Sequence, residues 1–190
     1  MSAWIKIIEI EEAEGKLKDY YDAATTPHGT VDNVMKIHSL RPETMQGHVT
    51  LYRSILHHKD NNLPIWLLEL IGVYTSRLNN CAYSETHHMA NYMNLMNDKG
   101  RAYVVKAAME NDRPEIVFNY KEMTLFNYAR KLTLEPGNME ATDVNQMKEA
   151  GYDDGEILEL NQVIGYFNYA NRLLNGLGVT TEGDIIGYYD

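Results

Sequence analysis

The stretch from Pro64 to Met96 constrains this chain more than any other. Its centre reads LPIWLLELIGVYTSRLNNCAYSETHHMANYM, and the rest of the sequence is organised around it. Pro64 opens an apolar run, Ile65-Trp66-Leu67-Leu68 and Leu70-Ile71, that a single acid, Glu69, interrupts. Asn79-Asn80 breaks the helical pattern, and the only cysteine, Cys81, follows. The pattern predicts two helices joined by a short turn. If the second begins at Ala82, then Cys81, Ser84 and His88 fall at i, i+3 and i+7 and share one face of a 3.6-residue period. A thiol, a hydroxyl and an imidazole then converge at a helix N-terminus, where the partial positive charge favours a thiolate.

The 190 residues are read as one domain, 1–190, large enough for a real core. Seventeen basic and 27 acidic residues give 17 − 27 = −10, which argues against nucleic acid or an anionic membrane as partner. One cysteine excludes an internal disulfide framework and fits a reducing compartment. The start, MSAWIKIIEIEEAEGK, lacks the pattern of a secretion signal, and no apolar run reaches the roughly 18 residues of a membrane span. A soluble, cytoplasmic protein is expected. Abundant Met and Tyr and scarce Pro fit an all-α bundle with an adaptable core.

In chain order, 1–10 reads as an N-terminal arm. A helix over 11–24 carries Ala13, Leu17, Tyr20, Tyr21 and Ala24 on one stripe, and Thr25-Thr26-Pro27-His28-Gly29 ends it. A short helix over 31–38 follows. The next, 41–58, has Pro42 in its first turn and Met45, Val49, Tyr52 and Leu56 inward. Beyond the central pair come a short helix over 101–109 and a helix starting at Pro114, with Ile116, Val117, Tyr120, Leu125, Tyr128, Ala129 and Leu132 apolar. Thr142 and Asp143 suggest the cap of a helix ending at Gly151, and 153–174 is the last long helix. The tail, 180–190, reads as a peripheral arm that a neighbouring subunit could carry. Leu68-Glu69-Leu70-x-x-Val73 recurs as Leu158-Glu159-Leu160-x-x-Val163, which would allow one helical-hairpin unit to be used twice; chance among Leu- and Glu-rich helices is the alternative.

A Glu followed twelve residues later by Cys-x-x-Cys-x-x-x-His is the signature of the alkylhydroperoxidase D and carboxymuconolactone decarboxylase superfamily. Here it stands as Glu69, Cys81-Ala82-Tyr83-Ser84 and His88. Glu14-Gly15, Asn33-Val34-Met35-Lys36 and Phe167-Asn168-Tyr169-Ala170-Asn171-Arg172-Leu173 resemble the subgroup called peroxidase-related proteins. The resemblance implies an all-helical bundle of the alkylhydroperoxidase D type, a homo-oligomer, and reduction of a small hydroperoxide through a dithiol cycle. In that cycle a Glu and a His relay a proton to the attacking cysteine, and a lipoylated partner or another dithiol supplies electrons. Ser84 occupies the position of the attacking cysteine, so this chain departs from the pattern there. It is a one-thiol variant, a diverged member without peroxidase activity, or a member with that cysteine replaced to trap a state.

Two readings attach to each candidate. Cys81 is either the sole redox group, cycling through a sulfenic acid, or a small buried hydrophobe. Glu69 is either a base or a structural carboxylate, with Arg77 one candidate cation. Buried among Leu and Ile, its pKa would rise. His88 is either the relay or a surface histidine, since neighbouring His87 shows that the region tolerates one on more than one face; Tyr83 either positions substrate or packs, and packing is the favoured reading. Ser84 would stand in as a hydrogen-bonding group. The leading expectation is thiol-dependent hydroperoxide reduction with Glu69 and His88 moving protons. The alternatives are acid–base work on a small organic acid, as in the superfamily's decarboxylases, and a silent oligomeric binding protein. No metal is expected, because adjacent histidines on a helix point about 100° apart and no H-E-x-x-H occurs. No cofactor is expected, since Gly176-Leu177-Gly178 follows a helix rather than a strand.

Overall fold

A computed structural model describes residues 2–189. Its α-helices are α1 (Gly15–Ala24), α2 (Asn33–Lys36), α3 (Pro42–Leu56), α4 (Ile65–Leu78), α5 (Ala82–Leu95), α6 (Lys99–Glu110), α7 (Tyr120–Leu134), α8 (Ala141–Glu149) and α9 (Asp154–Gly176). Among the described residues there is no strand, and no helix is long and apolar enough to cross a membrane.

Helix α4 is the axis. Ten consecutive residues, Leu67 to Ser76, are buried, as a helix apolar around most of its circumference must be. It packs against α5, α7 and α9, and Leu68, Leu70, Ile71 and Val73 meet Leu125, Phe126, Val163, Ile164 and Phe167 in the main core. Each such side chain contributes roughly 1.5–3 kcal/mol by leaving water. Gly72 sets how close α4 and α9 come, because a Cβ there would lie 2.2 Å from the Phe167 ring. A smaller core joins α1, α2 and α3 through Leu17, Tyr21, Met35 and Met45.

The turn between α4 and α5 forms because Asn80 takes a left-handed conformation (φ 52°), which Asn tolerates, and the Cys81 N–H closes it onto the Ser76 carbonyl. Helix α5 then runs back along α4, the two-helix unit that the sequence predicts.

Several boundaries differ from the sequence expectation, each for a local reason. Residues 10–12 form a 3₁₀ turn, so α1 starts at Gly15. Helix α7 starts at Tyr120 because Asn119 and Glu122 form a reciprocal capping box; Pro114–Ile116 is a separate 3₁₀ turn. Ile116 and Tyr120 are therefore exposed, not inward. The cap of α8 is Glu140, boxed with Asp143, and Thr142 lies inside the helix. The Leu-Glu-Leu echo does not mark a repeated hairpin. Among the described residues no helix follows α9, Leu158 is exposed, and Glu159 accepts from the Asn62 and Leu63 backbone N–H groups ahead of α4.

The tail crosses its own chain. Asp184 accepts from the Asn33 backbone N–H and the Tyr83 hydroxyl, the Tyr188 N–H donates to Asn91 Oδ1, and the Tyr189 hydroxyl meets His57 Nδ1 at 2.9 Å. The N-terminal arm pairs with the start of this tail through Trp4 N–H to the Leu177 carbonyl and Thr180 N–H to the Ser2 carbonyl.

Candidate functional site

Glu69 points from α4 towards α5 and is wholly buried. A buried carboxylate without partners is costly, and here α5 supplies them. His88 Nδ1 lies 2.6 Å from Glu69 Oε2, and Asn91 Nδ2 lies 3.3 Å from both carboxylate oxygens. His88 and Asn91 reach the same acid because i and i+3 share a helix face. Arg77 does not partner Glu69; it pairs with Glu85 and the Glu110 carbonyl. With the carboxylate accepting, His88 holds its proton on Nδ1, so Nε2 is the nitrogen that can take a proton. The His88 ring stands edge-on to Phe167, centroids 4.6 Å apart, which fixes its plane from the α9 side.

His88 lines a cavity whose space open to the centre of a water molecule is ≈ 80 Å³, several waters' worth. Tyr52, Tyr166, Phe167 and Tyr188 form aromatic walls, and Ser84 and His87 face it from α5. Arg53 is the one Lys or Arg in its lining among the described residues; its exposed guanidinium donates to the Ala23 carbonyl. Burial pushes the Tyr52 and Tyr166 phenols well above their usual range, and the nearby Glu69 carboxylate adds to the effect.

Cys81 departs from the expected convergence. It is the N-cap residue of α5, with non-helical backbone, and is wholly buried. It clusters with Ala3, Ile37, Tyr83, Leu174 and Val179, of which Tyr83 and Leu174 also line the cavity, while Cys81 itself is absent from the lining. Burial pushes the thiol up, opposite to the thiolate that a helix N-terminus alone would favour; hydrogen bonds from Ser84 and Asn171 offset only part of this. Ser84 does face the cavity, and its hydroxyl accepts from Ser76 Oγ at 2.9 Å, which in turn accepts from Asn171 Nδ2 at 3.1 Å. His88 and Ser84 line one cavity, Glu69 stands behind His88, and neither Glu69 nor Cys81 is among the lining residues.

His87, expected at the surface, is buried and stacked on Tyr83 (4.7 Å, 24°). It lines the cavity beside Asp32, whose carboxyl burial raises to about 6. Tyr83 packs, as expected, and also holds the tail through Asp184. Tyr166 and the tail were not signalled by spacing, because each reaches the site through long-range packing; Asn91 was missed although its i+3 step from His88 puts it on the same helix face.

No family model matches the sequence, and no curated protein matches it. Solved structures do. A peroxidase-related protein from Ralstonia eutropha JMP134, described as an alkylhydroperoxidase AhpD core, superposes with a TM-score of 0.78 at 18% identity, covering 97% of this chain and 94% of that one. This chain has the AhpD fold. A second AhpD-fold neighbour, a peroxidase-related protein from Silicibacter sp. TM1040, gives 0.79 at 19%, covering 96% and 93%. The debrominase Bmp8 gives 0.74 at 15%, covering 96% and 92%. A cysteine-to-alanine variant of that debrominase has been solved with 2,3,4-tribromopyrrole, so proteins of AhpD fold carry more than one named activity.

Proposed function

We propose that this chain is a member of the alkylhydroperoxidase D and carboxymuconolactone decarboxylase superfamily that works by proton transfer rather than by thiol redox chemistry. His88 Nε2 acts as the base, Glu69 orients and polarises the ring, and the substrate is a small organic acid with an acidic C–H. The observation that carries this is the 2.6 Å Glu69–His88 hydrogen bond at the wall of a cavity that Cys81 does not reach. Arg53 at the mouth suits the substrate carboxylate, the aromatic walls suit a flat carbon skeleton, and Ser84 offers a hydroxyl to a developing negative charge. The test is deuterium incorporation at carbon from D₂O across a panel of small keto and unsaturated acids. Turnover on one of them should fall about 10²–10⁴-fold in His88→Gln, the usual contribution of a positioned base. Equal turnover in His88→Gln contradicts the reading.

A second reading keeps hydroperoxide as substrate, with Cys81 as sole redox group, a sulfenic acid as intermediate, and a dithiol or lipoylated partner as reductant. The peroxidase-related neighbours favour it. The burial of Cys81 and its raised thiol weigh against it. In either reading the protein is a cytoplasmic homo-oligomer in which a second copy covers Tyr103, Val104, Ile116 and Tyr120, large apolar residues exposed on and beside α6. Sedimentation at the monomer mass contradicts that part.

A further inference from the structure

A second hydrogen-bonded chain reaches the cavity, independent of Glu69 and His88. It begins at the surface on α3. The exposed Thr44 hydroxyl donates to the Arg41 carbonyl at 2.7 Å. Its one proton being used there, its oxygen accepts from His38 Nδ1 at 2.8 Å. A neutral ring protonated on Nδ1 accepts at Nε2, so His38 Nε2 takes the proton of His48 Nδ1 at 3.1 Å. By the same logic His48 Nε2 accepts from the Tyr166 hydroxyl at 2.9 Å. Both rings are buried, and burial pushes His38 down and His48 to about 3, which keeps them neutral as this pattern needs. Every proton points one way, from the cavity wall to the surface. Thr44, His38 and His48 each both donate and accept, which a histidine buried only to fill space does not need.

We infer that Tyr166 is a second proton-transfer group of the cavity, and that His48, His38 and Thr44 exchange its proton with solvent. This rests on the proton-transfer reading above. In one outward step Tyr166 oxygen accepts a proton from substrate while its own passes to His48 Nε2. The His48 Nδ1 proton moves to His38 Nε2, the His38 Nδ1 proton moves to Thr44 Oγ, and the exposed Thr44 hydroxyl turns from the Arg41 carbonyl and gives its own proton to water. No residue changes charge, and the reverse step resets the chain. Phe167, beside Tyr166 (5.4 Å between ring centroids), also packs on His88, so the two proton-transfer groups flank one aromatic ring.

The test needs no substrate. The Tyr166 hydroxyl proton is assigned by ¹H NMR as the downfield signal lost in Tyr166→Phe, and its exchange with water is timed in the full chain and in Thr44→Val. Thr44 is exposed, and circular dichroism checks that the variant keeps its helices. Exchange should slow about tenfold, the rate factor matching roughly one lost hydrogen bond in the transfer path. His38→Gln should slow it as well. Unchanged exchange in both variants overturns the relay. The catalytic part is read separately: Tyr166→Phe should lower kcat with KM little changed, and unchanged kcat overturns it. If no acid is turned over by any form, the proton-transfer reading fails, while the exchange rates still decide the relay.

Discussion

His88 and Cys81 stand seven residues apart, and their surroundings are opposite in kind. His88 has an acid behind it and the cavity in front; Cys81 has apolar side chains around it. Cys81 is therefore expected to resist thiol reagents in the folded protein at pH 8 and to react fully in denaturant, as a titration with and without guanidinium would show. Cys81→Ala should cost only about 1 kcal/mol of stability, the usual size for a small buried change. The family spacing was legible in the sequence for Glu69, Ser84 and His88. The exclusion of Cys81 was not, because it follows from the chain at Ala3, Ile37 and Val179 closing over the thiol. His48 supplies a pH signature. A base whose folded pKa, about 3, lies below its ordinary 6.5 is protonated first in the unfolded chain, so stability falls as pH drops from about 6.5 towards 3. His38 and His57 are lowered too and act in the same direction, while Asp32, raised to about 6, opposes them between pH 3.8 and 6. Urea unfolding should therefore show the protein weaker at pH 5 than at pH 7, and His48→Gln should flatten that slope by up to about 1.4 kcal/mol per pH unit.

Among the elements, α4 was the most legible, since its apolar run and Pro64 define both burial and start. The α7 start was misplaced because a proline invites a helix, whereas the Asn119–Glu122 box sets the actual boundary. The Leu-Glu-Leu echo failed for the reason that identical letters take different faces: Glu69 is wholly buried, and Glu159 caps a loop. The α4–α9 approach at Gly72 was invisible, because nothing in a sequence says which aromatic will meet a glycine. Gly72→Ala should push the Phe167 ring off the site and cost about 1–3 kcal/mol, the range for overpacking. Thermal unfolding with helicity retained at 25 °C would confirm the origin as local packing.

For the whole molecule, the AhpD fold follows from a buried α4 ringed by α5, α7 and α9, with the tail drawn across the cavity between α5 and α3. The aromatic, polar character of the tail is legible in the sequence, but its course is not, because that depends on Asp184 finding Asn33 and Tyr83 more than a hundred residues away. A chain ending at Gly183 should keep its helices by circular dichroism, yet lose the Tyr188 contact that orients Asn91 and a wall of the cavity. Its kcat/KM should fall at least about tenfold, since misplacing a supporting group by an ångström has effects of that size or larger.

The proposed mechanism places the chemistry on Glu69 and His88, not on Cys81. Its most direct test is turnover by the unsubstituted protein, Cys81→Ala and His88→Gln, measured side by side on hydroperoxide with dithiothreitol and on the organic-acid panel. Proton transfer at His88 requires no hydroperoxide consumption above background, acid turnover unchanged in Cys81→Ala, and acid turnover lost in His88→Gln. Hydroperoxide consumption by the unsubstituted protein that Cys81→Ala abolishes would contradict it.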